Sequence, residues 1–566
     1  MRDMPIKSLK VVGAAAALVC AQHIVHAAGD SGPVVRHGMA ASVNAMAIDA
    51  GLAVLKHGGN AVDATVAVAL TLGVVDGYNS GIGGGCFMLI RRPDGSFIAI
   101  DGRETAPARA GRDMFVRDGK ADTRLSQTGA LASGVPGSLA AYQYAVNHYG
   151  KKKLSELLLP AAELAEKGFV VSRRYANVLQ SVATEMKEFD SSTAVFFKDG
   201  KPLADGATLK QPELAQSYRS IAADGIDWFY RGPFARAVEK WMSANGGVMT
   251  AEDFAKYHVK LREPILTTYR GYQLVSFPPP SSGGVHVAEI MNILENFDLK
   301  GMTEAARLHV MADAMKLAFA DRAYWLGDPD FAKVPRGLVD KAYAAELARR
   351  IAPEHVVQVA SHGTPPGWQD DVFKKHTTHF SVADAEGNWV ACTATVNTSF
   401  GSKVVIPGTG IVMNNQMDDF SAQPGVANYF GLIGAEANAV EPGKRPLSSM
   451  SPTIVLKDGQ PIISLGAAGG PKIITQVVME LVGMLDLGMT PREALAQPRI
   501  HHQWSPDELY VEPSLPRDVQ SALEKRGHKL NVSASSGISQ IVAWDTRERQ
   551  FVGAADPRGD GKAEGW

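Results

Sequence analysis

The apolar and polar positions fall into blocks of different period. From Met39 to Val75 the residues are small and apolar, interrupted by His57-Gly58-Gly59-Asn60. Glycine ends one helix there and asparagine caps the next, so the segment predicts a helix pair of the kind that covers a sheet. Phe87 to Ile90, the turn Pro93-Asp94-Gly95 and the run Ile98 to Ile100 predict a hairpin. Between about Ala130 and Pro353 the pattern is mostly helical, as at Ala305 to Leu326 and Lys341 to Ile351, and predicts one helix-rich lobe. His355 to His376, with Gly363, Pro365, Pro366 and Gly367, reads as a linker. After Thr377 the chain turns strand-rich, at Thr377 to Val382, Trp389 to Asn397, Thr453 to Leu456, Leu509 to Val511 and Ile541 to Trp544. Helices are predicted at Ile473 to Leu487 and Pro491 to Ala496. Strands bounded by helices at both ends imply a layered α/β or α+β fold.

The segment 377–397 carries the most chemistry. Alternation puts Thr377, His379 and Ser381 on one face of the first strand, with Thr378, Phe380 and Val382 on the other. On the return strand Thr393, Thr395 and Asn397 share a face, and Val390, Cys392, Ala394 and Val396 form an apolar one. The apolar faces must coincide, which sets Thr395 beside Thr377 to within about one residue of register. Hydroxyls clustered at a strand start just after a linker suit an N-terminal nucleophile: the hydroxyl attacks and the adjacent free α-amine is the base. That amine exists only if the chain is cut between His376 and Thr377. On its own, however, a threonine-rich strand is usually just a strand. The run Gly81-Ile82-Gly83-Gly84-Gly85 lacks the Gly-Lys-Ser/Thr ending of a phosphate loop and precedes a strand rather than a helix, so it predicts a tight bend between close backbones.

Composition narrows the picture. The 566 residues carry 57 Lys+Arg against 59 Asp+Glu, a balance that gives no general attraction to nucleic acid or anionic membrane. Arg2, Lys7 and Lys10 precede an apolar run from Val11 to Ala21, too short to span a bilayer, and Val25-His26-Ala27 offers a cleavage site. Residues 1–27 therefore read as a secretory signal, and Val19 before Cys20 argues against a lipid anchor. Cys86 and Cys392 read as two buried free thiols.

Asp101-Gly102-Arg103-Glu104, Thr377-Thr378-His379-Phe380-Ser381, Asn397-Thr398-Ser399-Phe400-Gly401, Asn414-Asn415-Gln416-Met417-Asp418-Asp419-Phe420, Lys444 to Pro452, Gly469-Gly470 and Asp556-Pro557-Arg558 occur in this order. In these stretches, from about Gly38 to its end, the sequence resembles the γ-glutamyltranspeptidase family of N-terminal nucleophile hydrolases. The resemblance implies a four-layer αββα sandwich made from a large segment, 28–376, and a small one, 377–566, that intertwine as a heterodimer after self-cleavage at His376-Thr377. It implies Thr377 as nucleophile, Thr395 as the residue orienting it, and Gly469 and Gly470 as oxyanion donors. It implies γ-glutamyl amides such as glutathione as donors, with water, amino acids or peptides as acceptors, and a periplasmic or secreted location. The glutamyl carboxylate suits Arg103, Ser448 and Ser449, and the ammonium suits Asn397, Gln416 and Asp419. Singly, Arg103 would read as an ion-paired surface residue, Ser448-Ser449 as a loop and Gly469-Gly470 as a turn; their order gives them weight.

Two departures stand out. Gly466-Ala467-Ala468 precedes the glycine pair where many family members carry Ser-Pro, and in the lid, Tyr429-Phe430, Phe430 stands where bacterial relatives have a tyrosine. Phe430 can shield the site but cannot donate a hydrogen bond. No cofactor and no catalytic metal are expected: His376 with His379 and His501 with His502 lack a third ligand at zinc-like spacing. Two other readings stay open, a β-lactam side-chain acylase acting on a glutaryl group and an uncut, inactive secreted binding protein.

Overall fold

The computed structural model describes residues 35–369, 372–373, 381–534 and 537–566. Two antiparallel sheets lie face to face. The first is built from β1 (Gly38–Ser42), β2 (Gly85–Arg91), β3 (Phe97–Gly102), β4 (Lys260–Leu261), β7 (Val382–Asp384), β8 (Trp389–Thr395) and β13 (Lys562–Gly565), in the order β4-β3-β2-β8-β7-β1-β13. The second holds β5 (Ile265–Tyr269), β6 (Tyr272–Ser276), β9 (Thr453–Lys457), β10 (Gln460–Ala468), β11 (Ile538–Asp545) and β12 (Gln550–Ala555), in that order. Each sheet mixes strands from before and after residue 376.

Alternation decides which side chains enter which layer. Leu89 and Ala391 point between the sheets and pack with Val275, Ile454 and Val542, whereas Met88, Ile90, Val390 and Cys392 point outward to a helical layer. A strand buried on both faces reads as a continuous apolar run, which is why Phe87 to Ile90 shows no polar alternation. The outer layer on the first sheet contains α1 (Ala45–Lys56), α2 (Ala61–Val75), α3 (Ser138–Tyr149) and α4 (Leu154–Lys167), followed along the chain by α5 (Arg173–Ser181). On the second sheet lie α6 (Gly283–Leu294), α7 (Glu304–Trp325) and α8 (Lys472–Leu485). The four layers are therefore αββα.

The helix pair forms as the sequence indicates. The Asn60 side chain accepts from the Val62 and Asp63 amides at 3.0 and 3.1 Å, and Asp63 closes the capping box, a device worth about 1 kcal/mol. The hairpin of β2 and β3, the helices at 304–325 and 472–485 and the return strand β8 also lie where expected, whereas its partner β7 begins only at Val382, the last residue of the stretch expected as strand, and 377–380 lie outside the described residues. Val382 pairs with Val390, so the two apolar faces do coincide. Cys86 and Cys392 are buried free thiols. The glycine run is a close-approach bend: a Cβ on Gly84 would sit 2.0 Å from the Thr395 carbonyl oxygen.

Two expectations change. The stretch 130–353 is not all helical, since β4, β5 and β6 lie in it and place this lobe's chain inside both sheets. The apolar run beginning at Met39 opens with β1, not helix. Among the described residues no helix is long and apolar enough to cross a membrane.

Candidate active site

Where β8 ends, Thr395 faces Gly85 across the sheet, and its hydroxyl accepts from the Asn397 amide at 2.7 Å. Asn397 has φ +82°, a left-handed conformation that asparagine tolerates, and its side chain donates to the Asn415 carbonyl at 3.0 Å. Asn414, fully buried, donates to the carbonyls of Gly83 and Gly134 at 2.8 Å each and accepts from the Gly134 and Gln416 amides at 2.9 and 3.0 Å. This one amide ties the glycine bend to the loop carrying Gln416 and Asp419. Asn415 does the same for Thr398, accepting from its amide at 3.1 Å.

Arg103 leaves the end of β3. Its own amide donates to Asp101, whose buried carboxylate also takes charge-assisted bonds from Arg262 at 2.8 Å and Arg445 at 2.5 Å. Burial pushes the Asp101 carboxyl up, but Arg445 and Arg262 more than reverse this and hold it below its ordinary range. The Arg103 guanidinium donates to the Pro446 and Leu447 carbonyls at 3.1 Å each and pairs with Asp419 at 2.5 Å. Gln416 donates to the same Asp419 oxygen at 3.1 Å. Burial raises the Asp419 carboxyl and Arg103 draws it back. Glu104, at 3.6 Å from Arg103, has no hydrogen-bond partner among the described residues on either oxygen, and burial pushes it up to about 8.

Ser448 and Ser449 close this side. The Ser448 hydroxyl accepts from the Met450 amide at 3.1 Å, and the Ser449 hydroxyl accepts from Arg322 at 3.0 Å. Arg322 also donates to Ser282 at 2.9 Å, and Ser282 donates back to the Ser448 carbonyl at 2.7 Å. Burial lowers Arg322 to about 10, offset in part by Asp419. Sequence reasoning missed Arg322 and Ser282. The available signal was a charged pair, Asp321-Arg322, directly after the apolar run Leu317 to Ala320 of α7.

Opposite lies the turn from β10 into α8. Gly469 and Gly470 have φ +139° and +59°, and a Cβ on Gly470 would sit 2.6 Å from the Phe430 ring. Among the described residues neither amide donates to a backbone carbonyl, and both precede the positive end of α8. Gly466-Ala467-Ala468 runs as the last stretch of β10, paired with β11. Phe430 and Tyr429 roof the cavity: the Tyr429 amide donates to Asp418 at 2.9 Å, and Gln503 donates to the Phe430 and Gly431 carbonyls at 3.3 and 3.1 Å.

A cavity of about 230 Å³ is lined by Thr395, Asn397, Gln416, Asp419 and Arg103, by Ser448 and Ser449, by Gly469 and Gly470, and by Tyr429 and Phe430. Every site residue expected from the sequence lies on it except Thr377, which falls outside the described residues, as do His376 and His379. His501 is hydrogen-bonded to Thr475 and Gln503, and His502 to the Trp504 amide. Elsewhere, His309, Asp313 and His528 converge as a buried cluster. There the two imidazoles bond to each other at 2.7 Å and His309 bonds to the Ala352 carbonyl at 2.8 Å. Chemically, the cavity offers one guanidinium and one carboxylate side by side, flanked by hydroxyls and amides. It can hold the zwitterionic end of an α-amino acid while two backbone amides face a carbonyl oxygen.

Residues 47–566 match the family described as Gamma-glutamyltranspeptidase. A glutathione hydrolase proenzyme from Escherichia coli (strain K12) is 47% identical over 528 residues, covering 92% of this chain and 90% of that protein. Acylase ACY 1 proenzyme from Pseudomonas sp. (strain SE83) is 39% identical, covering 93% and 92%. A crystal structure of a cephalosporin acylase from Bacillus halodurans superposes with a TM-score of 0.84 at 30% identity, covering 94% and 96%.

Proposed function

The chain belongs to the gamma-glutamyltranspeptidase family, and from that premise we propose how it performs γ-glutamyl transfer and hydrolysis. The Thr377 hydroxyl attacks the γ-carbonyl carbon of a donor such as glutathione and gives its proton to the Thr377 α-amine. The carbonyl oxygen, now negative, sits against the Gly469 and Gly470 amides, an interaction whose loss typically costs about 10²–10³ in rate. The C–N bond breaks, the amine leaves with the proton from the α-amine, and a γ-glutamyl ester remains on Thr377. Water or an acceptor amine then attacks the ester carbon, the C–O bond breaks, and Thr377 regains its proton. Arg103 with Ser448 and Ser449 takes the donor α-carboxylate; Asp419, Gln416 and Asn397 take the α-ammonium; Thr395 holds the Asn397 turn beside the reacting group.

Maturation uses the same hydroxyl. In the precursor, the Thr377 hydroxyl attacks the His376 carbonyl carbon and the C–N bond breaks, the nitrogen taking the proton to become the free α-amine that later serves as base; water then hydrolyses the resulting ester, releasing the His376 carboxylate and restoring the hydroxyl. The products are the segments 28–376 and 377–566, which stay together as a heterodimer. Residues 1–27 direct export to the periplasm.

The observation that carries this reading is the single cavity, which gathers Arg103 from the first segment and Asn397, Asp419, Ser448 and Gly469 from the second. A denaturing gel tests it: wild-type protein runs as two pieces and Thr377→Ala as one. A Thr377→Ala protein that still splits at the same bond contradicts the assignment. The acylase relatives keep a glutaryl donor as a second reading. A glutaryl group lacks the ammonium that Asp419 and Gln416 are arranged to take, so γ-glutamyl anilides are expected to turn over faster than glutaryl anilides.

A further inference from the structure

The motif Asp556-Pro557-Arg558 does not line the active-site cavity, yet a short relay of buried side chains ties it to the Gly469-Gly470 turn. Backbone amides stabilise a developing negative oxygen only if the turn that presents them is fixed before the reaction. Glycine has no side chain with which to fix it. On the far side of the turn, the Ile473 amide donates to the Gly470 carbonyl at 3.1 Å. On the near side, the Ala468 carbonyl accepts from the Gln476 side-chain amide at 3.3 Å. Gln476 is buried on the second turn of α8, and a Cβ on Gly469 would lie 3.2 Å from its Nε2. The Ala468 C=O and the Gly469 N–H belong to one planar peptide unit and point in opposite directions when it is trans. Fixing the Ala468 oxygen on Gln476 therefore aims the Gly469 N–H away from Gln476. Gly469 lines the cavity and Gln476 does not.

Gln476 presents nitrogen to the turn because its other end meets donors. Arg499 donates to Gln476 Oε1 at 2.8 Å, and the Ser539 hydroxyl donates to it at 3.1 Å. A guanidinium cannot accept a hydrogen bond, so Oε1 must face Arg499 and Nε2 must face Ala468. Arg499 is itself held between two buried carboxylates, Asp556 at 2.6 Å and Glu480 at 3.0 Å, and donates to the Gly537 carbonyl at 3.2 Å. Asp556 accepts the Ser539 amide at 2.9 Å on the oxygen that Arg499 uses, and the Arg558 amide at 3.0 Å on the other. Arg558 then grips Glu512 with two bonds, at 2.7 and 2.6 Å.

Resting on the γ-glutamyl reading above, the geometry points to Gln476 as the residue that positions the Gly469 amide for the reacting carbonyl oxygen, with Arg499, Ser539 and Asp556 setting the direction of its side chain. Gln476 touches no substrate. Ester formation and ester breakdown both place negative charge on that oxygen, so loss of the brace slows both steps. The donor's α-amino-acid end, seated on Arg103 and Asp419, binds as before.

The test is steady-state release of 4-nitroaniline from γ-glutamyl-4-nitroanilide by the full-length, processed protein, with rates expressed per mole of the 377–566 segment seen on a denaturing gel. Gln476→Glu keeps the side-chain length and gives Arg499 a carboxylate to pair with, but it turns an acceptor toward the Ala468 oxygen. Its kcat is expected to fall about tenfold while donor KM stays within about twofold, a smaller loss than deletion of an oxyanion donor because both amides remain. Arg499→Lys keeps the charge between Asp556 and Glu480 but not the planar fork, and its kcat should fall about threefold. A role in folding alone would lower the melting temperature without moving kcat per processed molecule. If Gln476→Glu yields no processed protein, Arg499→Lys and Ser539→Ala read the same contact, and kcat in both should drop about threefold at unchanged KM. Values of kcat within about 1.5-fold of wild type in every processed variant, or a loss confined to donor KM, overturn the positioning role and leave the γ-glutamyl reading intact. Absence of 4-nitroaniline release by the wild type overturns both.

Discussion

Two cavities, of about 230 and 370 Å³, meet at Gly469 and are built differently. In the first, buried charges are paired before any ligand arrives: Arg103 with Asp419, and behind them Asp101 with Arg262 and Arg445. In the second, which is larger, half-buried Arg174 shares the wall with Asp76 and Asp560. A buried charge left alone costs several kcal/mol, so a pocket that must keep one shape for one ligand carries its own counter-ions.

Breaking the first pairing should have the largest effect. Asp419→Asn leaves Arg103 buried without its counter-ion and removes the acceptor for the donor ammonium. Donor kcat/KM is expected to fall about 10²-fold or more, with loss of stability in urea; a variant within threefold of wild type would remove Asp419 from the cradle. Arg322 acts one step further back, through Ser449. Arg322→Gln is expected to raise donor KM roughly tenfold while kcat changes little, measured by steady-state hydrolysis of γ-glutamyl-4-nitroanilide.

Glu104 sharpens the comparison through pH. Its carboxyl is raised from 4.5 to about 8 by burial. The folded chain therefore binds a proton that the unfolded chain releases, and the stability this gives is complete below 4.5 and lost as pH rises to about 8. Glu104→Gln should flatten the fall in melting temperature across that window, as calorimetry would show. A parallel fall in variant and wild type would mean Glu104 is ionised. The smallest effect is at the roof: Phe430→Tyr adds a hydroxyl able to close the lid and should raise the ratio of transfer to hydrolysis by about twofold. An unchanged ratio would deny Phe430 any part in excluding water.

Much of this was legible in the chain. Period and punctuation located the glycine-linked helix pair, the hairpin of β2 and β3 and the apolar face shared by β7 and β8, because each depends on neighbours a few residues apart. The motifs that gather at the first cavity were legible by their order and resemblance. The strands at 260–276 were not, since Ile265 to Tyr269 is short and polar at its centre, and its hairpin partner Tyr272 to Ser276 is held on its other edge by a strand far along the chain, Thr453 with Ser276. Arg322 was hidden for the same reason, since only tertiary packing shows that it meets Ser449.

The central claim is that Thr377 becomes an N-terminal residue and carries the γ-glutamyl group. Mass spectrometry of the smaller segment, quenched during turnover of glutathione and digested, tests it directly. The account predicts a segment beginning at Thr377 and heavier by one γ-glutamyl group, with that group on Thr377. A turning-over protein whose chain is uncut, or whose adduct lies on another residue, would contradict it.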